Sequence, residues 1–128
     1  MEPIPKDIED IVSIIVDAAY QVHFILGNNL LESAYEVCLI FALQDRGLTV
    51  ENQLLLPIVF EGHIVPNAYR LDILVNKKVV VEIKVVHEIL PGHISQLLTN
   101  LRFSDLRMGL IINYKEKYFG DAVRRVIR

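Results

Sequence analysis

The sequence predicts an α+β fold, a central mixed sheet flanked by helices, and three observations predict it. Two helical stretches open the chain, a long run rich in Val, Ile and Leu follows, and a helix, a strand and a short helix come after Pro91-Gly92. The expected order is α-α-β-β-β-α-β-α.

Each element has its own reason. From Asp7 to Leu26, apolar residues at Ile8, Ile11, Val12, Ile15, Ala18, Ala19, Val22, Ile25 and Leu26 recur at the three-and-four spacing of an amphipathic helix. Gly27, Asn28 and Asn29 stop it. A second helix runs from about Leu30 to Arg46 and ends at Gly47; it is apolar almost all round from Val37 to Leu43, which predicts a buried helix. Between Leu48 and Val86 the apolar runs are broken by Glu61-Gly62 and Asn76-Lys77-Lys78, the pattern of an antiparallel meander of three or four strands. A third helix is expected from about His93 to Phe103 and a strand from Met108 to Tyr114. A short helix from about Phe119 would put Val123, Val126 and Ile127 on one side.

With 128 residues and 52% hydrophobic content, the chain is expected to form a single domain, residues 1–128, with a core of its own. Its one cysteine, Cys38, can form neither an internal disulfide nor a cysteine-based zinc cluster, which fits a reducing compartment. The Met-Glu-Pro-Ile-Pro start lacks a signal peptide's basic region, and Asp17, Gln21 and His23 interrupt the Ile11–Leu26 stretch. A cytoplasmic protein without a membrane span is expected. High apolar content in a small chain also favours burial at a homodimer interface.

Charge is uneven. Residues 1–45 carry eight acids and one base, whereas residues 46–128 carry eight acids and twelve bases, ending in Arg124, Arg125 and Arg128. Those arginines are candidates for contacting nucleic-acid phosphates, against the plainer reading of an uneven solvated surface.

The most informative segment is Val79-Val80-Val81-Glu82-Ile83-Lys84-Val85-Val86, which reads as a strand buried on both faces yet carries two charges. Glu82 and Lys84 are two apart and project from one face. A three-residue loop at Asn76-Lys77-Lys78 sets Val75 opposite Val79 and Asp72 opposite Glu82, with Cβ atoms about 4.5 to 5.5 Å apart. A two-residue loop would send the carboxylates to opposite faces. Opposed carboxylates with a neighbouring lysine supply what a hard divalent cation and an attacking water require; a structural ion pair with Lys84 is the alternative.

Glu32 and Glu36 share a face of the second helix and continue into Leu39, Ile40 and Leu43. A first-turn position near the positive end of the helix dipole accounts for Glu32 better than for Glu36. Tyr35, one turn from Glu32, either orients a carboxylate or packs in the core. Gln96, near the start of the third helix, either bonds into a site or is a polar face residue.

Helix glutamates, a strand Asp, a Glu-x-Lys and a helix Gln in this order resemble the PD-(D/E)xK nuclease superfamily. Further blocks resemble its GxxExxY family: Val22-His23 with Leu26-Gly27, Asn29-Leu30-Leu31-Glu32-Ser33-Ala34-Tyr35-Glu36, Ala68-Tyr69-Arg70-Leu71-Asp72, Pro91-Gly92-His93, Gln96-Leu97-Leu98-Thr99 and Gly109-Leu110-Ile111-Ile112-Asn113-Tyr114. Two positions depart from the pattern. Asn29 stands where the naming motif has Gly, a mild change where a left-handed backbone is needed, and Asn100 stands where an aromatic usually follows the Gln-Leu-Leu-Thr block.

The resemblance implies a restriction-endonuclease-like core and a nuclease that hydrolyses phosphodiester bonds, expected in DNA, with Mg²⁺ or Mn²⁺. It implies that Asp72 and Glu82 bind the metal with the Ile83 carbonyl, that Lys84 positions the water, and that Glu36 completes the shell, directly or through water. Gln96 would contact the site or a phosphate, with Glu32, Tyr35 and His93 in support. The alternative is an accessory protein that binds nucleic acid or a partner on the same fold without catalysis.

Overall fold

The computed structural model describes residues 2–128. Helix α1 spans Lys6–Leu26 and α2 spans Glu32–Asp45. Strands β1 (Val50–Phe60), β2 (His63–Val75) and β3 (Val79–Lys84) follow, then α3 (Pro91–Ser104), β4 (Met108–Asn113), a 3₁₀ turn (Phe119–Asp121) and β5 (Val123–Ile127). The five strands form one sheet in the order β1-β2-β3-β4-β5, with β3 and β4 parallel and every other neighbouring pair antiparallel. This is the expected α+β architecture, a mixed sheet covered by helices.

Two apolar layers hold the helices to the sheet. On one face Ile15, Ala18, Ala19, Leu39 and Leu43 pack with Ile73, Val79, Val81 and Ile83; on the other, Leu97 and Leu101 of α3 pack with Leu71, Val80 and Ile111. Each fully buried aliphatic side chain contributes about 1.5–3 kcal/mol of transfer free energy. β3 sits between the layers, so its Val and Ile residues have no access to water. Gly109 lets α3 approach β4 closely, because a Cβ there would stand 2.8 Å from Leu97 Cδ2.

The helix boundaries follow local chemistry. After α2, Gly47 takes a positive φ of 82° and donates its N–H to the Gln44 carbonyl, the left-handed stop that glycine makes without steric cost. α3 starts at Pro91, two residues earlier than expected, because a proline lacking an N–H suits a helix's first position.

Two expectations need correction. α2 is not buried all round: Val37 is 48% and Phe41 60% exposed, since apolar spacing identifies which residues avoid water but not what covers them. The carboxyl-terminal segment starts its short helix at Phe119, but Val123–Ile127 continues as β5 rather than as helix. Without β5, one edge of β4 would present unpaired backbone groups beside a fully buried strand, a larger penalty than the loss of a short helix.

Candidate functional site

The turn between β2 and β3 has the expected register: Val75 pairs with Val79, Leu74 with Val80 and Ile73 with Val81. Beyond that pair the ladder stops, and the Ile83 N–H donates instead to Asp72 Oδ2 at 3.2 Å. Asp72 therefore sits where β2 parts from β3, its carboxylate wedged against the strand that carries Glu82 and Lys84.

β1 and β2 both change face at this step. Below it Val50, Ile73 and Val75 lie under α1 and α2; above it Leu54, Leu56, Tyr69 and Leu71 lie under α3. Strict alternation would keep Leu71 and Ile73 on one face. Gln53 and Asp72 stand between the pairs Asn52–Ile73 and Leu54–Leu71, and Gln53 has a left-handed φ of 50°.

Glu82 is 9% exposed, and its Oε1 has no hydrogen-bond partner among the described residues. Burial, and next the Asp72 carboxylate beside it, push its carboxyl up to about 8, with Lys84 pulling the other way. A buried, unpartnered acceptor next to a second carboxylate is costly unless a proton or a cation satisfies it. Lys84 makes no ion pair within 4 Å of a described residue, so the structural pairing with Asp72 or Glu82 is not formed. Its strand end is anchored by the Tyr114 N–H donating to the Lys84 carbonyl at 2.9 Å.

Glu32, Ser33, Glu36, Gln53, Arg70 and Asp72 line an open cleft of about 270 Å³, at the small end for a small-molecule pocket but roomy enough for a phosphodiester group. Partial desolvation raises the Glu32 carboxyl above its ordinary value, with Lys84 opposing and Asp72 reinforcing. Desolvation also raises Glu36, and the Gln53 amide, donating at 2.7 Å to Glu36 Oε1, is the strongest opposing influence. Arg70 reaches toward Asp72 Oδ1 at 3.5 Å.

The other candidate residues lie as follows. Gln96 Nε2 donates to Asn100 Oδ1 at 3.2 Å, and the buried Asn100 donates to the Arg70 carbonyl at 3.3 Å. Gln96 is thus linked to the backbone two residues before Asp72. The Tyr35 hydroxyl donates to the Gly27 carbonyl and accepts the Leu30 N–H, which commits it to the α1–α2 connection. His93 Nδ1 accepts the Leu90 N–H at the start of α3. Arg125 forms a two-point pair with Glu9 and Arg128 pairs with Asp105, whereas Arg124 has no such pair among the described residues.

Gln53, Arg70 and Asn100 join the candidate site without an expected role in it, Asn100 having stood out only as a departure from the family pattern. Arg70 has a sequence signal, two residues from Asp72 on one strand. Gln53 has none: counting back from the Phe60–His63 pair puts it opposite Arg70, and only the register shift between Leu56 and Ile58 brings it opposite Asp72.

The donors suit a hard divalent cation. Among the described residues no three His, Cys, Asp or Glu side chains form a metal-holding group, but Mg²⁺ retains several waters and needs only one or two carboxylates. The orphaned Glu82 Oε1 beside Asp72 meets that need.

No curated protein and no solved structure matches the sequence. A family model described as the PD-(D/E)XK nuclease superfamily matches residues 9–126. With that match spanning nearly the whole chain, and with a mixed sheet whose diverging strands carry Asp72, Glu82 and Lys84, the chain belongs to the PD-(D/E)XK nuclease superfamily.

Proposed function

We propose that this protein, a member of the GxxExxY family, is a metal-dependent nuclease that hydrolyses phosphodiester bonds in DNA. The observation that carries the reading is the buried Glu82 Oε1, which has no hydrogen-bond partner among the described residues and lies beside the Asp72 carboxylate. Asp72 and Glu82 hold Mg²⁺ or Mn²⁺, with the Ile83 carbonyl as a further oxygen donor. When bound, the ion supplies Lewis acidity, easing deprotonation of water and offsetting charge on the phosphate.

The chain's own groups do the rest. Lys84, which has no ion pair among the described residues, supplies its ammonium to the attacking water and favours its deprotonated form. Glu36 accepts a hydrogen bond from water in the cleft, and Glu32 adds negative potential beside it. Gln96, oriented by Asn100, donates to a phosphate oxygen. Tyr35 and His93 support the site by fixing the connections before α2 and α3. Arg124, with Arg125 and Arg128 nearby, contacts backbone phosphates through charge.

A lone Cys38 suits the cytoplasm, and the exposed Val37 and Phe41 on α2 suit a homodimer interface. No helix is long and apolar enough to cross a membrane among the described residues.

The test is calorimetric titration of Mg²⁺ and Mn²⁺ into the wild type, Asp72→Asn and Glu82→Gln, together with cleavage assays on single-stranded, duplex and branched DNA. Binding and cleavage lost together in both variants is the expected result. A wild type that takes up no divalent ion at millimolar concentration, yet binds DNA intact, overturns catalysis in favour of an accessory role.

A further inference from the structure

Gln53 occupies a conformation that its side chain does not favour. Its φ of 50° is left-handed, a region that non-glycine residues enter rarely and that strand residues ordinarily avoid. Glu61, Asn76 and Lys77, which share this sign of φ, lie in the hairpin turns at Glu61-Gly62 and Asn76-Lys77-Lys78; Asn67 lies near the β1–β2 register shift. Gln53 lies inside β1 as its fourth residue, between paired neighbours, and the register is the same on both sides of it.

The backbone at this step rolls both strands over, carrying Leu54 and Leu71 to the α3 side. Glycine would make that roll at no steric cost, and asparagine at little. The backbone therefore does not explain a glutamine. The side chain does: its Nε2 reaches across to α2 and donates to Glu36 Oε1 at 2.7 Å, within the cleft that Asp72 also lines. Local backbone strain of this kind concentrates where a site needs a side chain in one place.

We infer that Gln53 is a positioning residue of the nuclease site: held left-handed opposite Asp72, it clamps one oxygen of Glu36 and leaves the other turned to the cleft for water around the bound cation. The inference rests on the metal-dependent reading above and assigns Gln53 no direct contact with metal or substrate. Orienting partners one layer out from a metal typically change its affinity 10–100-fold when removed.

The experiment separates backbone from amide. Gln53→Gly keeps the left-handed turn and removes the donor; Gln53→Asn keeps an amide on a side chain one methylene shorter. The full-length wild type, both variants, Glu36→Gln and the Gln53→Gly/Glu36→Gln pair are titrated with Mn²⁺ by calorimetry, melted without metal, and assayed for DNA cleavage. Gln53→Gly is expected to melt at or above the wild-type temperature and to bind Mn²⁺ roughly tenfold more weakly. In the Glu36→Gln background it should cause no further loss, because coupled residues are not additive.

Unchanged Mn²⁺ affinity in Gln53→Gly overturns the inference, as does an equal loss in the Glu36→Gln background. If Gln53→Gly melts below the wild type, the same affinity comparison is read from Gln53→Asn. A wild type that itself binds no Mn²⁺ defeats the metal-dependent reading and the inference with it, an outcome distinguished by appearing before any substitution is made.

Discussion

Asp72 takes the Ile83 backbone N–H at 3.2 Å just past Ile73–Val81, the last pair of the β2–β3 ladder. A carboxylate thus stands at the point where two core strands part, and it brings negative charge beside the buried Glu82. Four measurable consequences follow from this arrangement and its surroundings.

Stability of the metal-free protein should fall as pH rises, through Glu82. Its carboxyl ordinarily titrates at 4.5 and is pushed up to about 8 in the folded state by burial and then by Asp72. The folded state therefore binds more protons across that interval, and the stabilisation present below pH 4.5 is lost as pH rises through 8. A shift of this size bounds the effect at on the order of a few kcal/mol. Calorimetric melting in a chelator at pH 5 and pH 8 should show a steeper decline for the wild type than for Glu82→Gln, and added Mg²⁺ should narrow the gap at pH 8.

Lys84→Met should remove activity without removing the fold. Lys84 has no ion pair to lose among the described residues, and its side chain is only half-buried. Single-turnover cleavage is expected to slow by about 10²–10⁴-fold, the range for a group that manages a proton in the transition state. The melting temperature should change little, and divalent-ion affinity should hold or rise. A variant that cleaves at the wild-type rate would remove Lys84 from the chemistry.

Asn100→Ala should damage both stability and site. Asn100 is 2% exposed, accepts from Gln96 and donates to the Arg70 carbonyl. Deleting it strands a backbone carbonyl near Asp72, at a cost of about 1–3 kcal/mol. Denaturant unfolding measures that cost, and a weaker Mg²⁺ titration curve would show that the tether to β2 reaches the carboxylates.

Arg124 and Arg125 should differ in DNA binding although they are adjacent. Arg125 is engaged by Glu9 at 2.7 and 2.9 Å, whereas Arg124 has no acidic partner among the described residues. Arg124→Ala is expected to lower the slope of log affinity against log salt by about one phosphate contact. Arg125→Ala should lower it less, as fluorescence anisotropy across a salt series would report.

Much of the candidate site was legible in the sequence. Three polar residues between two apolar runs set the Val75–Val79 pairing, and from it the expectation that Asp72 meets Glu82. Local rules suffice there, because a short hairpin loop leaves few registers open. Glu32 and Glu36 were legible for a similar reason: a helix fixes which residues share a face. Gln53 was not. A two-residue register shift between Leu56 and Ile58 and a left-handed step within β1 decide its partner, and neither leaves a mark in hydrophobic spacing.

The same division runs through the whole molecule. Sequence alone determined α1, α2 and α3, the β2–β3 turn, the two-sided burial of β3 and which faces carry the acidic residues and the lysine of the candidate site, because each depends on chain neighbours and on a period of two or 3.6 residues. Tertiary structure alone decided that Val123–Ile127 pairs with β4, that α2 leaves Val37 and Phe41 in water, and that β1 and β2 roll over together at Gln53 and Asp72. These outcomes depend on which backbone edges and apolar faces remain to be satisfied once the other elements have packed, a competition among segments distant in sequence.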